Sequence, residues 1–69
     1  MLAAYEITYD KNLYETYRKI YVSEDADKVI RYTNEYGKSH GMKFRKDKSL
    51  FGGYWFNNEK TVMVKSEYF

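Results

Sequence analysis

Ser23-Glu24-Asp25-Ala26-Asp27-Lys28-Val29-Ile30-Arg31-Tyr32-Thr33-Asn34-Glu35-Tyr36-Gly37-Lys38-Ser39-His40-Gly41 is the stretch on which the fold turns. Ser23 is a good N-cap, and Glu24, Asp25 and Asp27 supply the acidic first turn that a helix dipole favours. Ala26, Val29, Ile30, Thr33 and Tyr36 recur at the three-and-four spacing of one helical face. Glu24 with Lys28, and Asp27 with Arg31, sit in the favourable i, i+4 orientation on the other face. Lys38 and His40 crowd the far end and Gly41 is a natural stop, so a helix is expected over about residues 24–39.

Everything outside that helix reads as strand and turn. Ala3, Tyr5, Ile7 and Tyr9 alternate with polar residues and share one face of a half-buried strand. Asp10-Lys11-Asn12 is a turn, with Asn12 suited to a left-handed backbone. Leu13 to Val22 fits both periods, but its Tyr, Thr, Ile and Val content favours a pleated surface, making it the second strand of a hairpin. After Gly41, Met42 and Phe44 alternate with Lys43 and Arg45, and Lys46-Asp47-Lys48-Ser49 is a turn. Leu50 to Phe56 reads as a strand interrupted by Gly52-Gly53, Asn57-Asn58-Glu59-Lys60 as a turn, and Thr61 to Tyr68 as a closing strand. The fold expected is α+β, in the order ββαβββ, an antiparallel sheet with one helix packed across one face. Residues 1–69 form a single small domain, with no linker or internal repeat.

The composition narrows the chemistry. A domain of roughly 60 residues buries only about 60% of its unfolded surface, so the core is expected to be thin. There is no cysteine, which removes disulfides, thiol catalysis and cysteine-based metal sites, and there is no proline. Apolar content is carried by nine Tyr, four Phe and one Trp against three Leu. The N-terminal Met1-Leu2-Ala3-Ala4-Tyr5-Glu6 has no basic head and no long apolar run, and no stretch approaches a membrane span, so a cytoplasmic protein is expected.

One helix roofs only one face of a four- or five-stranded sheet, so with so many rings in the chain the other face is expected to show aromatics. Tyr, Trp and Arg dominate protein-binding hot spots. The expected function is therefore a non-catalytic interaction module with a protein partner, and Tyr14, Tyr17, Arg45, Tyr54 and Trp55 are its candidate contacts. By analogy of size, composition and layout alone, a small phage or mobile-element inhibitor or regulator that docks stoichiometrically is expected.

Charge supplies an alternative. The net charge is +2, but Lys38, Lys43, Arg45, Lys46 and Lys48 against Asp47 concentrate +4 within residues 38–48. That run leads into Leu50-Phe51-Gly52-Gly53-Tyr54-Trp55-Phe56. Cations for phosphates beside rings for unpaired bases are the requirements of single-stranded DNA or RNA binding, with Lys43, Arg45, Lys46, Lys48, Tyr54 and Trp55 as its candidates. The plainer reading is a solvated strand and turn whose charges discourage edge pairing. A third possibility is a homodimer made by an edge strand pairing with itself.

The remaining features carry less. Gly52-Gly53 lacks the following helix a phosphate cradle needs, and is expected to bend the chain so as to re-aim Tyr54 and Trp55. His40 is the only histidine, adjacent to Ser39 but expected to point away from it and to complement the helix dipole. Glu24, Asp25 and Asp27 lack the pattern of a calcium loop. No catalytic set, cofactor or metal site is expected.

Overall fold

In the computed structural model, which describes residues 1–69, the chain runs β1 (Leu2–Tyr9), β2 (Glu15–Ser23), α1 (Ala26–Ser39), β3 (Lys43–Arg45), β4 (Tyr54–Phe56) and β5 (Val62–Tyr68). This is the ββαβββ order the sequence implies. All pairings are antiparallel and the strand order is β2-β1-β5-β4-β3. The last strand inserts beside the first, and α1 carries the chain from one sheet edge to the other, which lays it across a single face.

Local chemistry moves several boundaries. The helix starts at Ala26 because Asp25, in extended backbone, is the N-cap: its Oδ1 accepts from the Asp27 N–H at 3.0 Å. Ser23 instead stays in β2 opposite Leu2, and its Oγ accepts the Asp25 N–H at 3.1 Å. Gly41 ends the helix with φ +66, as its position suggests. In the β1–β2 turn the left-handed residue is Leu13, with φ 64, and not Asn12. Asp10 decides this: its Oδ1 accepts the N–H groups of both Asn12 and Tyr14, while its carbonyl accepts that of Leu13.

The expected strand over Leu50–Phe56 is cut to Tyr54–Phe56. Asp47 accepts the Ser49 N–H and Oγ–H, its carbonyl accepts the Leu50 N–H, and the Leu50 carbonyl accepts the Gly53 N–H. Residues up to Gly53 are therefore wound into turns. Gly53 is needed there for two reasons: its φ is +151, and a Cβ would strike the Arg45 carbonyl and the Phe44 ring.

Contacts identify the covered face. Leu2 and Ala4 pack with Val29, flanked by Ile20, Tyr21, Ala26, Ile30 and Tyr32. Thr33 Oγ1 lies 2.8 Å from Ser66 Oγ, Tyr36 Oη donates to Glu6 at 2.7 Å, and Trp55 Nε1 donates to Asn34 Oδ1 at 3.0 Å. Strand alternation then places Ala3, Tyr5, Ile7 and Tyr9 together on the uncovered face. The strand's apolar side thus faces away from the helix, and the Glu6 side meets it.

The register of β2 shows how the sheet accommodates this. Pairing runs one to one from Tyr9↔Glu15 to Tyr5↔Lys19 and then jumps to Ala4↔Tyr21, leaving Ile20 as an extra residue. The bulge turns both Ile20 and Tyr21 toward the helix, where Tyr21 stacks on Tyr32 at 4.6 Å. The core is thin, as expected: only Leu2, Ala3, Ala4, Ile7, Val29, Trp55 and Val64 are buried hydrophobics.

Candidate interaction surface

The uncovered face is built in rows that cross the strands. One row runs Tyr17, Ile7, Met63, Phe56 and Lys43; another runs Lys19, Tyr5 and Lys65. Tyr54 lies beside Phe56 on the same face, opposite Arg45. No second layer covers this face, yet Ala3 and Ile7 are fully buried on it. Neighbouring side chains roof them: Tyr5 meets Tyr17 edge to face at 5.8 Å, and the Lys65 ammonium lies 5.6 Å from the Tyr17 ring. The surface is a pavement of rings lying over small and branched residues, with the rings as its outer layer.

At one end of this pavement is a cavity of about 230 Å³ lined by Tyr9, Arg45, Tyr54, Phe56, Lys60 and Met63. Tyr54 and Phe56 meet at 6.0 Å, tilted by 48°. Arg45 and Lys60 stand at its rim, and neither forms an ion pair; the two salt bridges of the chain are Arg18–Glu6 and Lys65–Glu67. Burial, then the charge of Glu15, pushes the Tyr9 hydroxyl above its ordinary value, so it remains a neutral donor at physiological pH. Two cations and a phenol over apolar walls suit a partner that presents acidic groups flanked by apolar surface.

The residues singled out from the sequence are divided by the fold. Tyr17, Arg45 and Tyr54 come to the uncovered face, joined there by Lys43. Tyr14 stands at the β1–β2 turn, 71% exposed, and does not line the cavity. Lys46 and Lys48 are exposed in the turns after β3. Trp55 is the correction: it points to the helix side, 9% exposed and hydrogen bonded to Asn34, because it alternates with Tyr54 and Phe56. Gly52-Gly53 therefore leads Tyr54 outward and Trp55 inward. Stacking on a base is closed to this indole in the folded chain.

Phe56, Lys60 and Met63 belong to the surface with Tyr9 and were not among the sequence candidates. Phe56 had a legible signal, since it shares the alternation of Tyr54. Lys60 and Met63 did not, because they reach the cavity only through the pairing of β5 with β4 and β1.

His40 also differs from expectation. Its Nδ1 lies 3.1 Å from Ser39 Oγ, but 2.8 Å from the Tyr36 carbonyl, to which Ser39 Oγ donates as well. Its ring stacks on Tyr36 at 3.9 Å. No group of three or more His, Asp or Glu side chains converges to hold a metal. No helix is long and apolar enough to cross a membrane.

Comparison of the chain with protein-family models, with curated proteins and with solved structures returned no match.

Proposed function

We propose that this protein is a non-catalytic interaction module that docks stoichiometrically, through its uncovered sheet face, on an acidic patch of a protein partner. This is the mode of small inhibitors and regulators of the phage or mobile-element kind. The observation that supports it is the cavity where Arg45 and Lys60, without ion-pair partners, flank Tyr9, Tyr54, Phe56 and Met63. Rings that shed water on contact supply affinity, and two unpaired cations supply orientation and steering toward carboxylates.

One observation favours a second reading, single-stranded DNA or RNA: the fold brings Lys43 and Arg45 onto the face that carries Tyr54 and Phe56. Against it, the indole is turned inward, and Lys46 and Lys48 lie beyond the end of β3, outside the sheet.

The test uses the wild-type protein and the variants Arg45→Glu and Tyr54→Ala as matched baits in extracts of the native host. It is paired with a low-salt gel shift on mixed-sequence single-stranded DNA and RNA. The expected result is a protein retained in fixed stoichiometry by the wild type and bound at least about tenfold more weakly by each variant. A protein bound equally by all three baits removes the face from consideration. Retention of nucleic acid alone, with a shift that collapses as salt rises, replaces the first reading with the second.

A further inference from the structure

The two edges of the sheet are not alike. Edge strand β3 has three residues, Lys43, Phe44 and Arg45, and is both short and charged, a pattern that resists pairing with another strand. Edge strand β2 has nine residues, Glu15 to Ser23, and no proline. Four of the nine exposed large hydrophobic residues in the chain lie along it or at its start: Leu13 (78%), Tyr14 (71%), Tyr17 (48%) and Val22 (42%).

We propose that β2 pairs antiparallel with β2 of a second copy of this chain, with Tyr17 on the twofold axis, to form a continuous ten-stranded sheet. The argument is geometric and electrostatic, and does not depend on the docking face described above. An edge strand pairs antiparallel with its own copy about a twofold axis normal to the sheet, which keeps each face on its own side. The regular part of β2 is Glu15 to Lys19, ended by the bulge at Ile20, and its central residue is Tyr17.

With the axis there, Glu15 of each chain lies opposite the partner's Lys19, twice over, and Thr16 lies opposite the partner's Arg18. Tyr17 meets its own copy, and Tyr14 falls opposite the partner's Ile20. Moving the axis to residue 18 would set Arg18 against Arg18, and moving it to residue 19 would set Lys19 against Lys19. An axis at residue 15 would set Glu15 against Glu15, and one at residue 16 would pair no opposite charges. Like charges directly opposite destabilise a strand pair and opposite charges stabilise it, so the charges select the Tyr17 register. Neither charge is locked away in the monomer. The Lys19 ammonium lies over the Phe69 ring at 3.6 Å, and neither Lys19 nor Glu15 takes part in an ion pair.

A single edge contact is small for a protein interface, so a dimer with a dissociation constant in the micromolar range is expected. Sedimentation equilibrium measures it, with far-UV circular dichroism confirming that each variant is folded. Glu15→Lys and Lys19→Glu should each weaken self-association at least about tenfold, because each places two like-charged pairs across the axis. Mixed one to one, the two variants should associate about as tightly as the wild type. One chain then brings cations at positions 15 and 19, and the other brings carboxylates at both. That recovery is specific to the Tyr17 register. A wild type that stays monomeric up to about millimolar concentration, variants that associate like the wild type, or a mixture no tighter than either variant alone would each overturn the proposal.

Discussion

Replacing Gly37 by alanine tests how closely the helix rides on the sheet. Gly37 lies in α1 with ordinary helical backbone, and a Cβ built on it lands on Cγ and Cδ2 of the Trp55 indole, with Cε3 at 2.6 Å. Carbon atoms rest at about 3.5 Å or more, so the indole or the helix must move by roughly 1 Å. The indole is not free to yield, since Nε1 is held by Asn34 and the ring also meets Phe44 at 5.0 Å. Overpacking of this kind costs about 1–3 kcal/mol, and a weakened Asn34 bond adds about 1. Alanine regains about 0.5–1 kcal/mol of helix propensity, leaving a net loss of about 2 kcal/mol. For a domain of this size that corresponds to a fall in Tm of about 8–16 °C.

Trp55 is the only tryptophan, so its fluorescence reports the site directly while circular dichroism follows the fold. The emission of Gly37→Ala should move to the red in the folded state. Trp55→Leu makes room for the methyl group, so adding Gly37→Ala to it should cost at least about 1 kcal/mol less than adding it to the wild type. Equal or greater stability of Gly37→Ala, with unchanged emission, would refute the close helix–strand approach and the placement of Trp55 that depends on it.

Three further outcomes are expected. Thr33→Val should cost about 1–3 kcal/mol in urea unfolding, because it strips the buried Ser66 hydroxyl of its 2.8 Å partner; adding Ser66→Ala should recover part of that loss, and simple additivity would argue against the pair. Stability should fall as pH rises above about 10. The hydroxyls of Tyr9, Tyr17 and Tyr36 are all raised, Tyr9 chiefly by burial and the other two chiefly by hydrogen bonds to Glu15 and Glu6. For Lys65, burial alone would lower the pKa, but Glu67 and Tyr17 together outweigh it and the net shift is upward. Each group holds its proton more tightly in the folded state, so its contribution is complete below the unfolded pKa and is lost as pH passes through the raised value. A urea midpoint that is flat from about pH 8 to 11 would contradict this. Finally, Tyr36→Phe should lower the midpoint at neutral pH and flatten the alkaline decline, as only the wild type has the 2.7 Å bond to Glu6; an unchanged slope would assign that decline to the other groups.

Much of the fold is local in origin and legible as such. The spacing of Ala26, Val29, Thr33 and Tyr36 marks the helix, Gly41 marks its end, and strict alternation marks β1 and β5. Where the reading slipped, a short-range polar group had outbid the pattern. Asp10 shifted the left-handed turn to Leu13, Asp25 displaced Ser23 as the cap, and Asp47 wound Leu50–Gly53 away from the strand. Of the candidate surface, Tyr17, Arg45 and Tyr54 were found because residue type alone marks them, whereas Lys60 and Met63 needed the strand order.

By itself the sequence determined the element order, the single helix and the crowding of cations before an aromatic run, because periodicity and turn chemistry act over a few residues. Which face of the sheet the helix took was decided only in three dimensions. Alternation says that Trp55 opposes Tyr54 and Phe56, but not which side is roofed. The helix settled where Ala4, Ser66 and Gly37 let it approach, with Leu2, Val29 and Val64 filling the gap and Gly37 leaving space for the indole. That choice buried Trp55 and left Tyr5, Tyr9, Tyr17, Tyr54 and Phe56 on the other side, since close packing is a sum over residues far apart in the chain.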